Sequence, residues 1–422
     1  MDLTMYTLRS VAYAIFGPYM FFVLILLGVM FYFKNRKVSL MQKMIIGESI
    51  NSPLELTLSQ IVLGIFAGAI GSLILSYSGV LFGEKSGIEW VFLLSILLMI
   101  YRPKFVCFSY SGSILGIISI ILYQIYGDKA PINISIINLM IFVGILHIVE
   151  GLLVMFDGSR GAIPVFTNKS GKIFGGFALN RYWALPIAIF MIITSSTSQF
   201  GTESINTPNW WPLLNHNSTL EFLKKAVVGL FPFYGMIGYS SITFTKSKRK
   251  KAVMSGILIL CYGMILVLVS QLCRVGLIGE IIVVIFAPLA HEAMIRLSNI
   301  MEAKSAPMYI SDDQGICILE VSPSSQASKL GIRSGDKIIK VNEEYIQSEL
   351  DIYKIVRESY MDIKLKIKKL NGTFQDFTIT PDENRRIGVV LVPKMVKEEQ
   401  VVKLNNDFQE ILENIKKKKD DE

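Results

Sequence analysis

The sequence predicts a polytopic α-helical membrane domain followed by a small mixed α/β barrel domain and a short C-terminal helix. Hydrophobic residues make up 52% of the 422 residues and charged ones only 18%, outside the usual balance of a soluble chain. From Val11 to Ala290 the apolar residues gather into runs long enough for about 30 Å of hydrocarbon. From Met301 onward they alternate with charges, so a boundary falls near residue 300. The expected units are a transmembrane domain over 1–300, the α/β domain over 305–394 and a charged amphipathic tail helix over 395–422.

Nine apolar runs are candidate spans, with seven to nine crossings expected: 12–33, 60–82, 88–101, 105–126, 132–156, 182–200, 223–244, 252–272 and 275–290. The third and ninth fall short of the roughly 17–25 residues of a full crossing and suit tilted or re-entrant segments. The first is too long for a signal-peptide core and is followed by FKNRK rather than a small-residue cleavage site, so it is expected to stay as a helix.

Charge between the runs orients them, because short basic loops stay in the cytoplasm. Lys34, Arg36, Lys37 and Lys43 follow the first run, and Arg102 and Lys104 the third. Arg160, Lys169, Lys172 and Arg181 follow the fifth, and Lys246, Lys248, Arg249, Lys250 and Lys251 the seventh. The alternate connections hold only Lys85 and Lys129, and the 201–220 loop has no basic residue. The expected location is the plasma membrane, with the amino terminus outside and everything after Ala290 cytoplasmic. Trp210 and Trp211 would then sit at the outer lipid interface. The net charge of +8 thus reports topology, and no nucleic-acid partner is expected.

Within the runs, Gly64, Gly68 and Gly71 form a small-residue face suited to close approach by another helix. His147 and Glu150 share one helix face at membrane depth, as a packing pair or as a proton or metal site with too few further ligands in view. Cys107, Cys261, Cys273 and Cys317 show no CxxC spacing, so neither a disulfide framework nor a cysteine zinc site is implied. No metal, cofactor or catalytic residue is expected.

One enzyme reading competes. His291 and Glu292 open HEAMI, similar to the HExxH of zinc proteases, and Asp157-Gly158 is similar to the aspartate-glycine motif of intramembrane site-two-type proteases. Ile295 stands where the second zinc-binding histidine is needed, and the Asp-Gly pair precedes the His-Glu pair, opposite to that family's order. A divergent intramembrane zinc metalloprotease would have to use His147, Glu150 and His291. Otherwise His291 and Glu292 are interfacial residues where the last run leaves the bilayer.

Beyond residue 308 the period changes to two, with strands expected at 308–310, 316–321, 337–341, 363–369 and 374–380. Asn371-Gly372 signals a hairpin between the last two. Ser348 with Asp351 forms a capping box for a helix whose apolar face holds Ile352, Ile355 and Val356. The segment RRIGVVLVPK reads as a closing strand. In the tail, Val401, Leu404, Phe408, Ile411 and Ile415 form a seam of about two heptads, suited to docking on the α/β domain, on the membrane-side helices or on a second copy of the chain. Lys416 to Lys419 are placed to touch anionic lipid.

Gly315, Pro323, Ser325, Ala327, Gly331-Ile332, Gly335-Asp336, Ile338 and Val341-Asn342 resemble a bacterial PDZ domain, with Glu343 departing from the family's usual glycine. The resemblance implies a peptide-binding groove that captures an extended peptide as an added strand. Its loop would be Gln314, Gly315 and Ile316. Its strand would be Cys317 to Val321, with Ile318 and Leu319 in the groove. The facing helix 349–359 would supply Ile352, Tyr353 and Val356.

A polytopic region followed by one such domain, together with HIVEGLLVMFDGSRGAIPVFTNKSGKIFGGFALNR from His147 to Arg181, resembles the MinJ-type topological determinants of cell division in Gram-positive bacteria. The resemblance implies a membrane-anchored adaptor that bridges a pole- or septum-marking scaffold to the Min inhibitor of division-ring assembly. Its expected partners are peptide segments or C-termini of membrane-associated division proteins, the lipid bilayer and a second copy of itself.

Overall fold

The computed structural model describes residues 2–101, 105, 107–169, 172–193, 208–214 and 227–394. The tail seam and Lys416 to Lys419 lie outside these residues, as do most of the 201–220 loop and the Arg102 and Lys104 positions.

The first apolar run breaks at Gly17-Pro18, where proline opens a new helix without needing its own amide bonded. Helix α1 (Leu3–Phe16) therefore precedes α2 (Pro18–Ile46), and Ser52 caps α3 (Pro53–Ser78) through its side chain. A short β1 (Leu81–Gly83) leads into α4 (Glu89–Tyr101), α5 (Phe108–Tyr126) and α6 (Ile136–Asp157). Strands β2 (Ile163–Lys169), β3 (Lys172–Ile193) and β4 (Val227–Thr243) follow, then α7 (Lys248–Val269) and α8 (Leu277–Lys304). Among the described residues, six helices are long and apolar enough to cross a membrane, including α2, α3 and α5 to α8.

The expected spans at 182–200 and 223–244 are corrected: their described parts are β3 and β4, not helices. The two strands pair antiparallel from Phe177↔Thr243 to Ile193↔Val227. Their apolar character is as high as a spanning helix requires, but YWALPIAIF carries a proline at its centre, costly inside a helix.

The small face of α3 packs against this strand. A Cβ at Gly64 would strike the carbonyl oxygen of Ala184, and one at Gly68 that of Pro186, while Gly71 meets Val149 of α6. The expectation that all three glycines admit another helix is therefore corrected for the first two. Ser72 Oγ accepts the Ala188 backbone N–H at 2.9 Å on the same edge. Pro186, two residues earlier, has no N–H to leave unpaired there.

Helices α6 and α7 cross through reciprocal glycines. A Cβ at Gly144 would lie 2.9 Å from Gly263 O, and one at Gly263 2.6 Å from Gly144 O. Gly151 and Gly256 repeat the arrangement at 2.6 and 2.5 Å, a seven-residue spacing on both helices that lets the backbones touch.

At the C-terminal end of α6, Asp157 accepts hydrogen bonds from Arg181 Nε and Trp183 Nε1, both at 2.9 Å. Arg181 also donates to Ser59 Oγ and to the Leu56 carbonyl, so one buried ion pair joins α6, β3 and α3. At the opposite end Trp211, expected at a lipid interface, is buried with Leu3, Leu81 and Phe190 and donates to Ser76 O at 2.8 Å. Trp210 is exposed and stacks on Tyr77.

The C-terminal domain consists of β5 (Tyr309–Ile310), β6 (Ile316–Val321), α9 (Gln326–Lys329), β7 (Lys337–Val341), β8 (Glu344–Tyr345), α10 (Glu349–Glu358), β9 (Ile363–Lys368), β10 (Phe374–Ile379) and β11 (Val389–Leu391). Its sheet runs β10-β9-β7-β6-β11 with β8 on β7. The expected strands are all present, the Ser348–Asp351 capping box forms, and Gly331 and Gly335 take φ of +78° and +95°.

This domain is joined to the helical part by more than its linker. Strand β5 pairs with β3 at Phe174 and Gly175, and a side chain at Gly175 would collide with Leu319 and Val392. Lys248 pairs with Glu320. The Glu48 carboxylate, in the α2–α3 turn, accepts from the Ser322 and Ser324 hydroxyls and from Ser324 N–H at 2.8 Å.

Two measurements check these joints. Arg181→Met removes the buried partner of the Asp157 charge, leaving only the half-exposed Arg160 at 3.5 Å, and is expected to cost about 3–5 kcal/mol. It should lower the thermal midpoint of the detergent-solubilised protein, with part of the loss restored in the Asp157→Asn/Arg181→Met double variant. For Glu48, burial raises the carboxyl pKa, but the bonds from Ser322 and Ser324 outweigh it and hold the value below the ordinary 4.5. Its contribution to docking is therefore present above the ordinary carboxylate pKa and is lost as pH falls through the lowered value. Hydrogen exchange at Ser322 to Ser325 should rise in that acid window, and Glu48→Gln should reproduce the rise at neutral pH.

Candidate functional site

Two arrangements carry chemistry beyond packing. The first begins with the connection between α4 and α5. Asn133 N–H bonds Lys85 O and Ile134 N–H bonds Ser119 Oγ, so α4 leaves from, and α5 returns to, the end of the bundle where α6 starts. The helical hairpin delivers Cys107, the residue before α5, into the bundle interior.

There Cys107 Sγ lies 2.9 Å from His147 Nε2 on α6 and 3.4 Å from His291 Nε2 on α8. The three ligand atoms all fall within 4.8 Å of one another. His147 Nδ1 lies 2.7 Å from the Val143 carbonyl, which only accepts, so Nδ1 carries the proton and Nε2 presents a lone pair. His291 Nδ1 lies 3.4 Å from the Tyr110 hydroxyl, which itself donates to Glu292 Oε2 at 3.0 Å. Tyr262 packs edge-on against both imidazoles and spends its hydroxyl on Ser109 and the Ala287 carbonyl. Glu150 Oε2 is 4.0 Å from His147 Nε2 and shares with Cys107 a small cleft closed by Met236 to Gly238 of β4.

His147 and Glu150, singled out as a polar pair, are thus joined by His291 and Cys107. The expectation that His291 lies where the last run exits the bilayer is corrected: it is buried in mid-helix, and α8 continues to Lys304. Asp157 lies ten residues beyond His147 on the same helix, about 15 Å along its axis, and is occupied by Arg181 and Trp183. Cys107 was missed because its partners lie 40 and 184 positions away.

The second arrangement is the edge of the C-terminal sheet. Strand β6 was expected to offer an open edge, and this is corrected: it lies between β7 and β11. Ile316 and Ile318 fill the domain core, whereas Cys317 and Leu319 join the apolar cluster that continues into the helical part. Both faces and both edges of the strand are in use. The sequence signal was the unbroken ICIL, which marks burial on two faces rather than alternation. Gln314 sits in the preceding turn, bonded to Asp312 and Lys368, and Gly315 has φ of +139° with Ile338 O 2.6 Å from where its Cβ would stand.

The edge strand is β11. Helix α10 lies beside it, with Glu349 Oε2 accepting from Lys394 N–H at 3.2 Å just past the strand. Ile352 and Val356, expected to line side-chain pockets, face the core. Tyr353 is 48% exposed beside β11, and Leu350, one turn earlier, is 68% exposed.

No family model matches the chain. It is 24% identical over 268 residues to a protein of Bacillus subtilis (strain 168) named cell division topological determinant MinJ, a match covering 62% of this chain and 63% of that relative's length. With six membrane-competent helices among the described residues, the chain is a multi-pass membrane protein distantly similar to a cell-division protein.

Proposed function

We propose that this chain is a membrane-anchored adaptor in the choice of the division site, without a catalytic step of its own, and that its C-terminal domain is a cytoplasmic PDZ-type module. The observation that carries the reading is the edge strand β11 beside α10, on a domain fastened to the end of a multi-pass bundle. The similarity to a relative named as a cell division topological determinant supports the division role, and the PDZ-like glycines and apolar positions from Gly315 to Asn342 support the module.

In this reading a partner segment adds as a strand along β11, exchanging the bond that Glu349 makes to Lys394 N–H at that edge for those of the incoming backbone. Leu350 and Tyr353 supply apolar contact. Anchoring confines the groove to the membrane surface, which raises its effective concentration for other membrane-bound proteins and makes weak contacts sufficient. The basic residues Lys34, Arg36, Lys37 and Lys43 of α2, with Lys246 to Lys251 at the start of α7, support a cytoplasmic position for this end.

Two experiments test the reading. In Bacillus subtilis deprived of MinJ, the full chain is expected to restore septum placement. The chain ending at Ala306, and the Leu350→Asp/Tyr353→Asp variant, should insert normally yet lower septal enrichment of a fluorescent fusion at least tenfold. Full restoration by the double variant would remove β11 and α10 as the working surface. For orientation, a membrane-impermeant maleimide should label Asp128→Cys in intact cells and Tyr360→Cys only after permeabilisation; the reverse order would invert the topology.

A further inference from the structure

Two imidazole nitrogens and one thiol meet inside the bundle, and their hydrogen bonds do not balance. His147 commits its Nδ1 proton to the Val143 carbonyl, and His291 Nδ1 faces the Tyr110 hydroxyl, whose proton goes to Glu292. Both Nε2 lone pairs therefore point at Cys107 Sγ, which has one weak proton to offer. The other lone pair is left unpaired in a site where His147 and His291 are both buried. A buried acceptor without a donor is costly, and a cation in the centre would serve both nitrogens and the sulfur at once.

We propose that Cys107, His147 and His291 bind one zinc ion, with the Glu150 carboxylate as the fourth ligand, tying together the start of α5, the middle of α6 and the middle of α8. A tetrahedral site with Zn–S near 2.3 Å and Zn–N near 2.0 Å has sulfur-to-nitrogen edges of about 3.5 Å. The Cys107–His291 separation of 3.4 Å is already of that length. The Cys107–His147 separation of 2.9 Å needs to open by about half an ångström.

Charge selects the ion class. One thiolate and one carboxylate neutralise a divalent cation, so the occupied site adds no net charge to an apolar bundle. Mixed sulfur and imidazole ligands suit zinc and disfavour magnesium or calcium. The second layer is also in place, since the Val143 carbonyl and the Tyr110–Glu292 pair fix the outer nitrogens of the two rings. Binding displaces the thiol proton to solvent as the zinc–sulfur bond forms, without any change of oxidation state. This inference stands independently of the adaptor reading, because it concerns the helical part alone.

The test uses the full chain purified in detergent, stripped with a chelator, loaded with zinc or cobalt(II), and washed. Elemental analysis is expected to find about one zinc per chain, and zinc should raise the thermal midpoint. Cobalt should give tetrahedral d–d bands with a thiolate charge-transfer band. Cys107→Ser should abolish the charge-transfer band, and His147→Gln and His291→Gln should each lower bound zinc at least tenfold. Cys261→Ser should leave everything unchanged. If a histidine variant fails to fold, the cobalt spectrum of the unaltered chain and its response to Cys107→Ser still decide. Less than about a tenth of an equivalent of zinc after loading would overturn the proposal. So would a cobalt spectrum without a thiolate band, undiminished binding in Cys107→Ser, or copper(I) retained in place of zinc.

Discussion

A β-strand laid inside an apolar helical bundle must have its backbone N–H and C=O groups answered from within the protein, because neither lipid nor hydrocarbon side chains can do so. Strand β3 is that element, and the rest of the fold is arranged around it. Every other strand of its sheet, β1, β2, β4 and β5, hydrogen-bonds to β3. Where its second edge lacks a strand, between the β2 and β1 pairings, α3 covers it. Gly64 and Gly68 let the helix reach the strand carbonyls, Ser72 accepts one amide, and Pro186 removes another.

The same strand carries mechanical continuity from one end of the molecule to the other. At one end it pairs with β1 near the Trp211 cluster; at the other it pairs with β5 and packs on Leu319 and Val392 of the C-terminal domain. Arg181 and Trp183 of β3 converge on Asp157, which fixes the end of α6 and hence the position of His147, about one turn before the Gly151–Gly256 contact. The cluster at Cys107 and the edge at β11 are therefore set by one framework, although they offer different chemistry: convergent soft ligands in one, an unpaired strand edge in the other.

The C-terminal domain was legible almost element by element, because its strands alternate and its turns use residues with specific conformational reasons. Ser348 caps because its hydroxyl reaches Asp351 N–H, and Gly331 and Gly335 stand at positive φ. Its edge was less legible. Which strand closes a small sheet depends on the order of pairing, and β6 is placed between β7 and β11 by contacts that no local pattern encodes. In the membrane half, apolar runs were found but their form was not: YWALPIAIF satisfies a hydropathy reading equally as helix or as buried strand, and the proline at its centre was the discriminating residue.

Local chemistry was sufficient to determine that the chain has a long apolar part and a smaller α/β part, where the change falls, and which turns and caps shape the latter. Those properties depend on residues within one or two turns of each other. The sequence also marked His147, Glu150 and His291 as unusual for their setting. Only the tertiary structure decided that Cys107 meets both histidines, that two spans are strands, and that β11 rather than β6 forms the edge. Each depends on segments distant along the chain being brought within a few ångströms, and the close approaches that accomplish this, backbone against glycine and ion pair against strand, have no periodicity to read in advance.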